Sequence, residues 1–340
     1  MKLLFDGRVL THSHFTGVEN YTKNIYTFLS KKIKIFLVKP QSKNKYIAHL
    51  WNHFILPFKK GNMLFCPANL APIFVPKNKK LVITLHDIAF LTYPESFSLF
   101  FRYYYQWLVP KIIQRADKII TVSQASKEEI IKYYPYAKEK TEVVFLGLDR
   151  IFHLLPDIEK KDQILYVGSL NMRKNFTSVI QAFTKFNNDK YRLLIVGNFS
   201  SNYNLSQSTQ EILDKAKQNP NINFLSNISD NELNLLYNES KLFLFPSFYE
   251  GFGLPPLEAM ACGTPVITSN ISSMPEVCGD AAIYVDPHNI EDITQKLSML
   301  LNDNVLQQKM INMGLEHVKQ FTWEKAADKH LKVFNEVLNK

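Results

Sequence analysis

Long apolar runs are missing from this 340-residue chain. No stretch of about eighteen uncharged apolar residues occurs, so no membrane-spanning helix is expected. The start, Met1 to Phe5, gives way at once to Asp6 and Arg8, leaving no signal-peptide apolar region, and a cytoplasmic protein is expected. Cysteine is scarce: Cys66, Cys262 and Cys278 stand alone without metal-ligand spacing, which points to buried reduced thiols and away from a disulfide framework or a zinc site. In such a compartment the Asn-x-Ser/Thr triplets at Asn175 and Asn270 are chance matches. No Asp-x-Asp pair follows a predicted strand and no His, Cys and carboxylate cluster forms, so neither a metal nor another cofactor is expected. The first predicted strand opens into THSHFTGVEN and not a G-x-G-x-x-G turn, which disfavours a dinucleotide dehydrogenase. No internal repeat or low-complexity tract is visible.

What is present is an ordinary globular composition, 46% hydrophobic and 21% charged, in a chain long enough for two domains of about 150 residues. The net charge of +9 is unevenly placed. Residues 1–160 hold 24 Lys and Arg against 12 Asp and Glu, whereas residues 161–340 hold 16 against 19. A basic front half attracts nucleic acid, anionic lipid or phosphorylated acceptors alike, because it acts through potential and not through chemical selectivity.

Short β-rich runs alternate with helical segments throughout, which predicts parallel sheets with crossover helices. In the first half the predicted strands are Lys2–Phe5, Ile33–Val38, Leu81–Leu85, Lys118–Val122 and Glu142–Phe145. In the second they are Gln163–Val167, Arg192–Val196, Ile222–Leu225, Leu242–Phe245, Pro265–Ile267 and Ala282–Val285. The polar stretch Leu154–Asp162 is the expected hinge, giving domains of 1–156 and 157–321. Two doubly wound domains facing across a cleft would place ligands at the carboxyl ends of their strands.

The most informative stretch is FLFPSFYEGFGLPPLEAMACGTP, Phe243–Pro265, in which an apolar strand runs through a glycine loop into a proline-initiated helix. Gly251 and Gly253 remove side chains just before the helix start, where unpaired N–H groups and the positive helix end favour a phosphate. Glu250 precedes this loop and Glu258 follows eight positions later, both suited to accept hydrogen bonds from sugar or ribose hydroxyls. Taken singly, Glu258 also reads as a helix-capping carboxylate and Glu250 as a loop-surface charge. A second stretch, YVGSLNMRKN (Tyr166–Asn175), leaves a predicted strand and ends in Arg173 and Lys174, which could equally be a solvated helix start. In TLHD, His86 and Asp87 follow a strand directly; such a histidine is either structural or a site residue. Gly17, in the loop His14–Glu19, is a plain turn glycine or a close-approach point.

The Glu250 to Glu258 segment resembles the glutamate, seven residues, glutamate signature of the retaining glycosyltransferases of family 4, and the resemblance extends through TVSQASKEEI (Thr121–Ile130), FLGLDRIF (Phe145–Phe152), MPEVCGDAAIYVDP (Met274–Pro287) and FTWEKAA (Phe321–Ala327). It implies the α/β GT-B fold, two Rossmann-like doubly wound domains facing across a cleft: an acceptor-binding domain of 1–156 completed by a C-terminal helix, 322–340, and a domain of 157–321 that binds a nucleotide diphosphate-sugar. It implies that Glu250 contacts the donor sugar, that Gly251, Phe252, Gly253 and Leu254 supply backbone donors, that Glu258 holds the ribose, and that Arg173 and Lys174 clamp the diphosphate. Many members carry an arginine directly after the strand glycine; this chain has Ser169 there, and Arg173 is expected to compensate. His86 would contact the donor sugar, with Asp87 orienting its ring, and Gly17 would form the glycine turn near the donor. The implied chemistry is metal-independent transfer with retention, by same-face attack in which the leaving phosphate helps take the acceptor's proton, or less favourably through Glu250 as covalent nucleophile.

The wording of THSHFTGVENY and TLHDIAFLTYPE is most like that of bacterial mannosyltransferases, which makes GDP-mannose the first expected donor. A lipid-linked or oligosaccharide acceptor in lipopolysaccharide, O-antigen or capsule synthesis would follow. Residues 96–113, SFSLFFRYYYQWLVPKII, read either as a surface ridge resting on an anionic inner-membrane face or as a core helix. The competing readings are a nucleotide-sugar epimerase or phosphorylase on the same scaffold, and a basic nucleic-acid-binding protein. The last leaves the glutamate-flanked loop without a purpose, so no nucleic-acid partner is expected.

Overall fold

The computed structural model describes residues 2–11, 17–42, 44–197 and 206–339. The chain divides into two compact units, Met1–Gly147 with Phe321–Lys340, and Leu148–Gln320.

The first unit is built on strands β1 (Leu3–Asp6), β2 (Ile35–Val38), β3 (Met63–Cys66), β4 (Lys80–Thr84), β5 (Lys118–Thr121) and β6 (Thr141–Val143). They form a sheet in the order β2-β1-β3-β4-β5-β6 with every pairing parallel. Parallel neighbours need crossovers, and helices such as Gly17–Ser30 and Leu99–Arg115 provide them. Strands β1, β3 and β5 are buried along their whole length, as in sheets covered on both faces. The C-terminal helix Trp323–Leu338 packs beside Gly17–Ser30, where the Tyr21 hydroxyl meets His330 Nε2 at 2.6 Å and Thr84 Oγ1 at 2.8 Å. His330 Nδ1 faces the Ala326 carbonyl at 2.7 Å, so it carries the ring proton and Nε2 accepts from Tyr21. Burial pushes His330 down to about 4, which keeps that ring neutral.

The second unit carries β7 (Lys161–Val167), β8 (Arg192–Val196), β9 (Ile222–Leu225), β10 (Ser240–Phe245), β11 (Val266–Ser269) and β12 (Ile283–Val285), again all parallel, in the order β12-β11-β10-β7-β8-β9. The strand order reverses between β7 and β10, and in open parallel sheets ligands bind past the carboxyl ends at such a reversal.

Two expectations need correction. Strand β3 was not expected; its four residues, MLFC, contain no β-branched residue and follow Gly61-Asn62, so neither propensity nor alternation marks them. The polar stretch Leu154–Asp162 is not the hinge, since the division falls at Gly147 and Leu148. The polar groups that look like linker chemistry pin the segment to the second unit: Leu155 N donates to Asn238 Oδ1 at 2.8 Å, Asn238 Nδ2 to the His153 carbonyl at 3.0 Å, and Lys160 Nζ to Thr264 Oγ1 at 2.9 Å. Gly147 marks the true boundary because a Cβ there would collide with the backbone of Trp323, where the returning helix begins. The cysteines are free and buried, as expected.

Candidate functional site

The loops after β7 and β10 bring the charged residues of the second unit together. After β7, Asn171 caps a short 3-10 turn, Met172–Lys174, by accepting from Arg173 N at 3.0 Å. Asn175 then adopts a left-handed conformation (φ 53°), which asparagine tolerates better than other residues with a side chain, and its buried amide donates to the Pro246 and Pro287 carbonyls at 2.8 Å each. These bonds tie the β7 loop to the start of the β10 loop, as does Phe248 N donating to the Arg173 carbonyl at 2.9 Å.

Glu250 is thereby set against both cations. Lys174 Nζ lies 3.0 Å from Oε1 and Arg173 Nη1 3.5 Å from Oε2, while Arg173 Nη1 also donates to the Tyr249 carbonyl at 2.9 Å. Lys174 further sits 5.3 Å from the centre of the Phe245 ring. Glu250 is only 8% exposed, which rules out a loop-surface charge, and the paired cations are not a solvated helix start. The Glu250 backbone is held by Ser272, whose hydroxyl accepts from Glu250 N at 3.1 Å and donates to its carbonyl at 2.8 Å. Ser273 bonds the Glu250 and Phe252 carbonyls at 2.9 and 2.8 Å. One carboxylate against two cations leaves the cluster with a residual positive charge, suited to an anion.

Gly253 caps the helix Leu254–Ala261 with φ 102°, a conformation L side chains rarely adopt, and a Cβ there would run into the Met274 side chain. No side chain caps this helix. Pro255 and Pro256 follow Leu254 and carry no N–H, so Leu254 and Gly253 are the residues that supply amide donors at the helix start itself. Glu258 is not a cap. It accepts from the buried Tyr237 hydroxyl at 3.0 Å, and its carboxyl is pushed up to about 7, chiefly by burial and further by Asp230 and Asp149, against the opposing pull of Tyr237 and Lys174.

In the first unit, His86 follows β4. Its backbone N–H donates to Asn69 Oδ1 at 2.7 Å, and its Nε2 lies 3.0 Å from the Pro67 carbonyl, which requires the proton on Nε2 and leaves Nδ1 of the neutral ring as an acceptor. Tyr21 packs edge-on against it, ring centres 4.6 Å apart. Burial lowers the His86 pKa despite the Pro67 contact and the nearby Asp87 and Glu19. Contrary to expectation, Asp87 does not bond the ring; its Oδ1 accepts from Ala89 N at 3.0 Å. Gly17 is the first residue of Gly17–Ser30, with nothing within 4 Å of a Cβ placed there, so the fold itself does not require glycine. Of its expected loop, His14–Glu19, residues 14–16 lie outside the described residues, while Val18 and Glu19 are helical and not loop.

Among the described residues, no group of three or more His, Cys, Asp or Glu is placed to hold a metal ion. No helix among them is long and apolar enough to cross a membrane.

Residues 151–317 match the model of the family described as glycosyl transferases group 1, and residues 61–150 that of glycosyltransferase family 4. The chain is 31% identical over 260 residues to O-antigen chain mannosyltransferase B of Escherichia coli, covering 72% of this chain and 68% of that protein. It is likewise 31% identical over 268 residues to the O-antigen chain mannosyltransferase RfbU of Salmonella typhimurium, covering 76% and 73%. This chain belongs to the family 4 glycosyltransferases. Its fold is GT-B, shared with sucrose-phosphate synthase from Thermosynechococcus elongatus (TM-score 0.78, 16% identity, 100% and 99% of the two chains) and with Anabaena HepE solved with UDP and glucose (TM-score 0.76, 18% identity, 99% and 100%).

For this glycosyltransferase, sequence reasoning found the charged residues and overlooked what holds them. Asn175 was read only as a false glycosylation triplet, although an asparagine ending a turn before an apolar helix is a signal for left-handed backbone. Ser272, Ser273 and Tyr237 carry no local signal at all, because their partners lie some twenty residues away in the chain.

Proposed function

We propose that this glycosyltransferase transfers a hexose, with mannose from GDP-mannose the favoured donor, onto a lipid-linked or oligosaccharide acceptor in bacterial surface polysaccharide synthesis. Transfer proceeds with retention of the anomeric configuration and without a metal ion. The observation that carries this is the cluster of Arg173, Lys174 and Glu250 at the strand-order reversal of the second unit, beside an uncapped helix start. The cations and the Gly253 and Leu254 amides take the diphosphate as its negative charge develops, which is electrostatic transition-state stabilisation. In the free protein Glu250 holds the two cations in place; with donor bound it turns to the sugar. Glu258 takes the ribose hydroxyls, His86 offers Nδ1 to the donor sugar, and Gly17 leaves room for close approach. The mannose assignment rests on the names of the two O-antigen relatives, and UDP stays in consideration because HepE was solved with it.

The basic first unit is proposed to hold the acceptor at the inner face of a membrane. Residues 96–113 are partly core and partly exposed: Leu108, Val109, Ile112 and Ile113 are buried, while Leu99, Phe100, Tyr103 and Trp107 are exposed, Phe100 by 77%. The neighbouring helix Lys45–Phe54 exposes Ile47, Leu50 and Phe54, and Lys111 lies 3.6 Å from the Trp107 ring centre. Exposed aromatics with flanking cations fit a headgroup layer. Thermal-shift measurement against GDP, UDP and dTDP tests the donor. A matching nucleotide at a hundred times its Kd stabilises by about 2.7 kcal/mol, and no shift with any of the three would sink the assignment.

A further inference from the structure

The first unit contains a second group of polar side chains that none of the family signatures accounts for. Several of their buried polar atoms have no hydrogen-bond partner among the described residues. Arg8, just past the carboxyl end of β1, is 4% exposed, yet its Nε is one such atom, and its guanidinium makes a long contact, Nη1 to His49 Nδ1 at 3.4 Å. Asp6, 1% exposed, accepts the Arg8 backbone N–H on Oδ1 at 3.0 Å and leaves Oδ2 unpartnered. Asn52, on Lys45–Phe54, is 1% exposed with both its amide nitrogen and its oxygen unpartnered. His53 Nε2 meets the Tyr104 hydroxyl at 3.1 Å, and His53 Nδ1 is unpartnered. Arg8 touches His49, and His49, Asn52 and His53 share one face of Lys45–Phe54 at i, i+3 and i+4; Arg8 also acts electrostatically on His53 and Tyr104, so these groups form one cluster.

Buried polar atoms without partners are uncommon, and several in one place mark a site whose other half is missing. Their chemistry narrows the ligand. Arg8 Nε and Asn52 Nδ2 donate, Asp6 Oδ2 and Asn52 Oδ1 accept, and His53 Nδ1 can do either. A phosphate is chiefly an acceptor and would press its negative charge against the Asp6 and Asn52 oxygens. Sugar hydroxyls donate and accept at once, and the Asp6 and Arg8 charges offset each other. We infer that Asp6, Arg8, Asn52 and His53 form a subsite for a neutral, hydroxyl-rich ligand, the sugar ring of the acceptor. His53 and Tyr104 are half-buried and border it. Strand β1 lies two places from β4 in the sheet, so the cluster stands roughly 10 Å from the strand that carries His86, about the reach of one or two sugar rings. This deepens the assignment of the acceptor to the first unit.

Saturation-transfer NMR on the full chain with methyl α-mannoside, methyl α-glucoside and methyl α-galactoside tests it, with inorganic phosphate as competitor and the nucleotide-induced thermal shift as a separate readout of the second unit. The expected result is saturable binding of at least one hexoside, weakened at least tenfold in Asn52→Leu and in Arg8→Lys, with the nucleotide shift unchanged and no displacement by phosphate. Arg8→Lys keeps the charge but loses the Nε–H, and decides the matter if Asn52→Leu does not fold. Unweakened hexoside binding in a folded variant, no hexoside binding by the wild type, or displacement by phosphate would each overturn the inference. A missing nucleotide shift in the wild type would instead count against the donor assignment and leave the hexoside result standing.

Discussion

Replacing Glu258 by glutamine should make the free protein more stable at alkaline pH while weakening its hold on nucleotide. Burial, with Asp230 and Asp149 nearby, raises the Glu258 pKa from 4.5 to about 7. A carboxyl that binds its proton more tightly when folded contributes no penalty below its unfolded pKa and becomes a growing liability as pH rises through the folded value. The window is therefore about pH 4.5 to 7, with the full penalty present above it. At about 1.4 kcal/mol per unit the shift corresponds to about 3 kcal/mol, an upper figure because the side chain keeps some solvent contact. Glutamine still accepts from Tyr237 but never ionises. For a unit of this size each kcal/mol moves Tm by roughly 2–4 °C, so at pH 8.5 the variant should melt several degrees above the wild type, with the gap closing toward pH 5. Nucleotide affinity should fall in the same variant, because a hydrogen bond from ribose to a charged acceptor is stronger by roughly 1 kcal/mol than one to an amide. The assay is differential scanning fluorimetry from pH 5 to 8.5, with and without nucleotide. A variant that melts at or below the wild type at pH 8.5, or a gap that does not depend on pH, would refute the reasoning.

Lys174→Ala and Glu250→Gln should each lower release of nucleoside diphosphate from the donor by about 100-fold or more, while EDTA leaves the wild-type rate intact; near-normal rates in either variant, or inhibition by EDTA, would remove the charge-clamp assignment. Asn175→Ala should destabilise by about 2–4 kcal/mol in urea titration, since it breaks two buried 2.8 Å bonds and forces a side chain into left-handed backbone. Asn175→Gly should recover about 1 kcal/mol of that, and equal losses in the two variants would show that the backbone strain is unimportant. Gly147→Ala should drive a methyl into the Trp323 backbone and loosen Trp323–Leu338, seen as faster hydrogen exchange across that helix. Unchanged exchange there would mean that the close approach is not needed.

Among the described residues, eleven of the twelve strands are legible as short apolar runs, because in a sheet covered on both faces burial demands hydrophobicity that survives in the one-dimensional text. Strand β3 escapes because four residues without β-branching carry too little signal, and it is the sheet, by pairing Met63–Cys66 between β1 and β4, that makes them a strand. The charged site residues were equally readable: glycines, prolines and glutamates at fixed spacing describe local backbone, and local backbone is what a sequence encodes most directly. Their electrostatic state was not. That Glu250 is closed off by Arg173 and Lys174, that Glu258 is lifted toward neutrality beside Tyr237, and that Leu154–Asp162 is bound to Asn238 and Thr264 all depend on partners many residues away. The sequence by itself determined the strand and helix alternation, the glycine-loop and proline-helix grammar and the asymmetry of charge. Tertiary structure alone decided which carboxylates lose their water, where one unit ends and the next begins, and which polar groups near Arg8 are left without partners, because desolvation and pairing are properties of neighbours in space and not of neighbours in the chain.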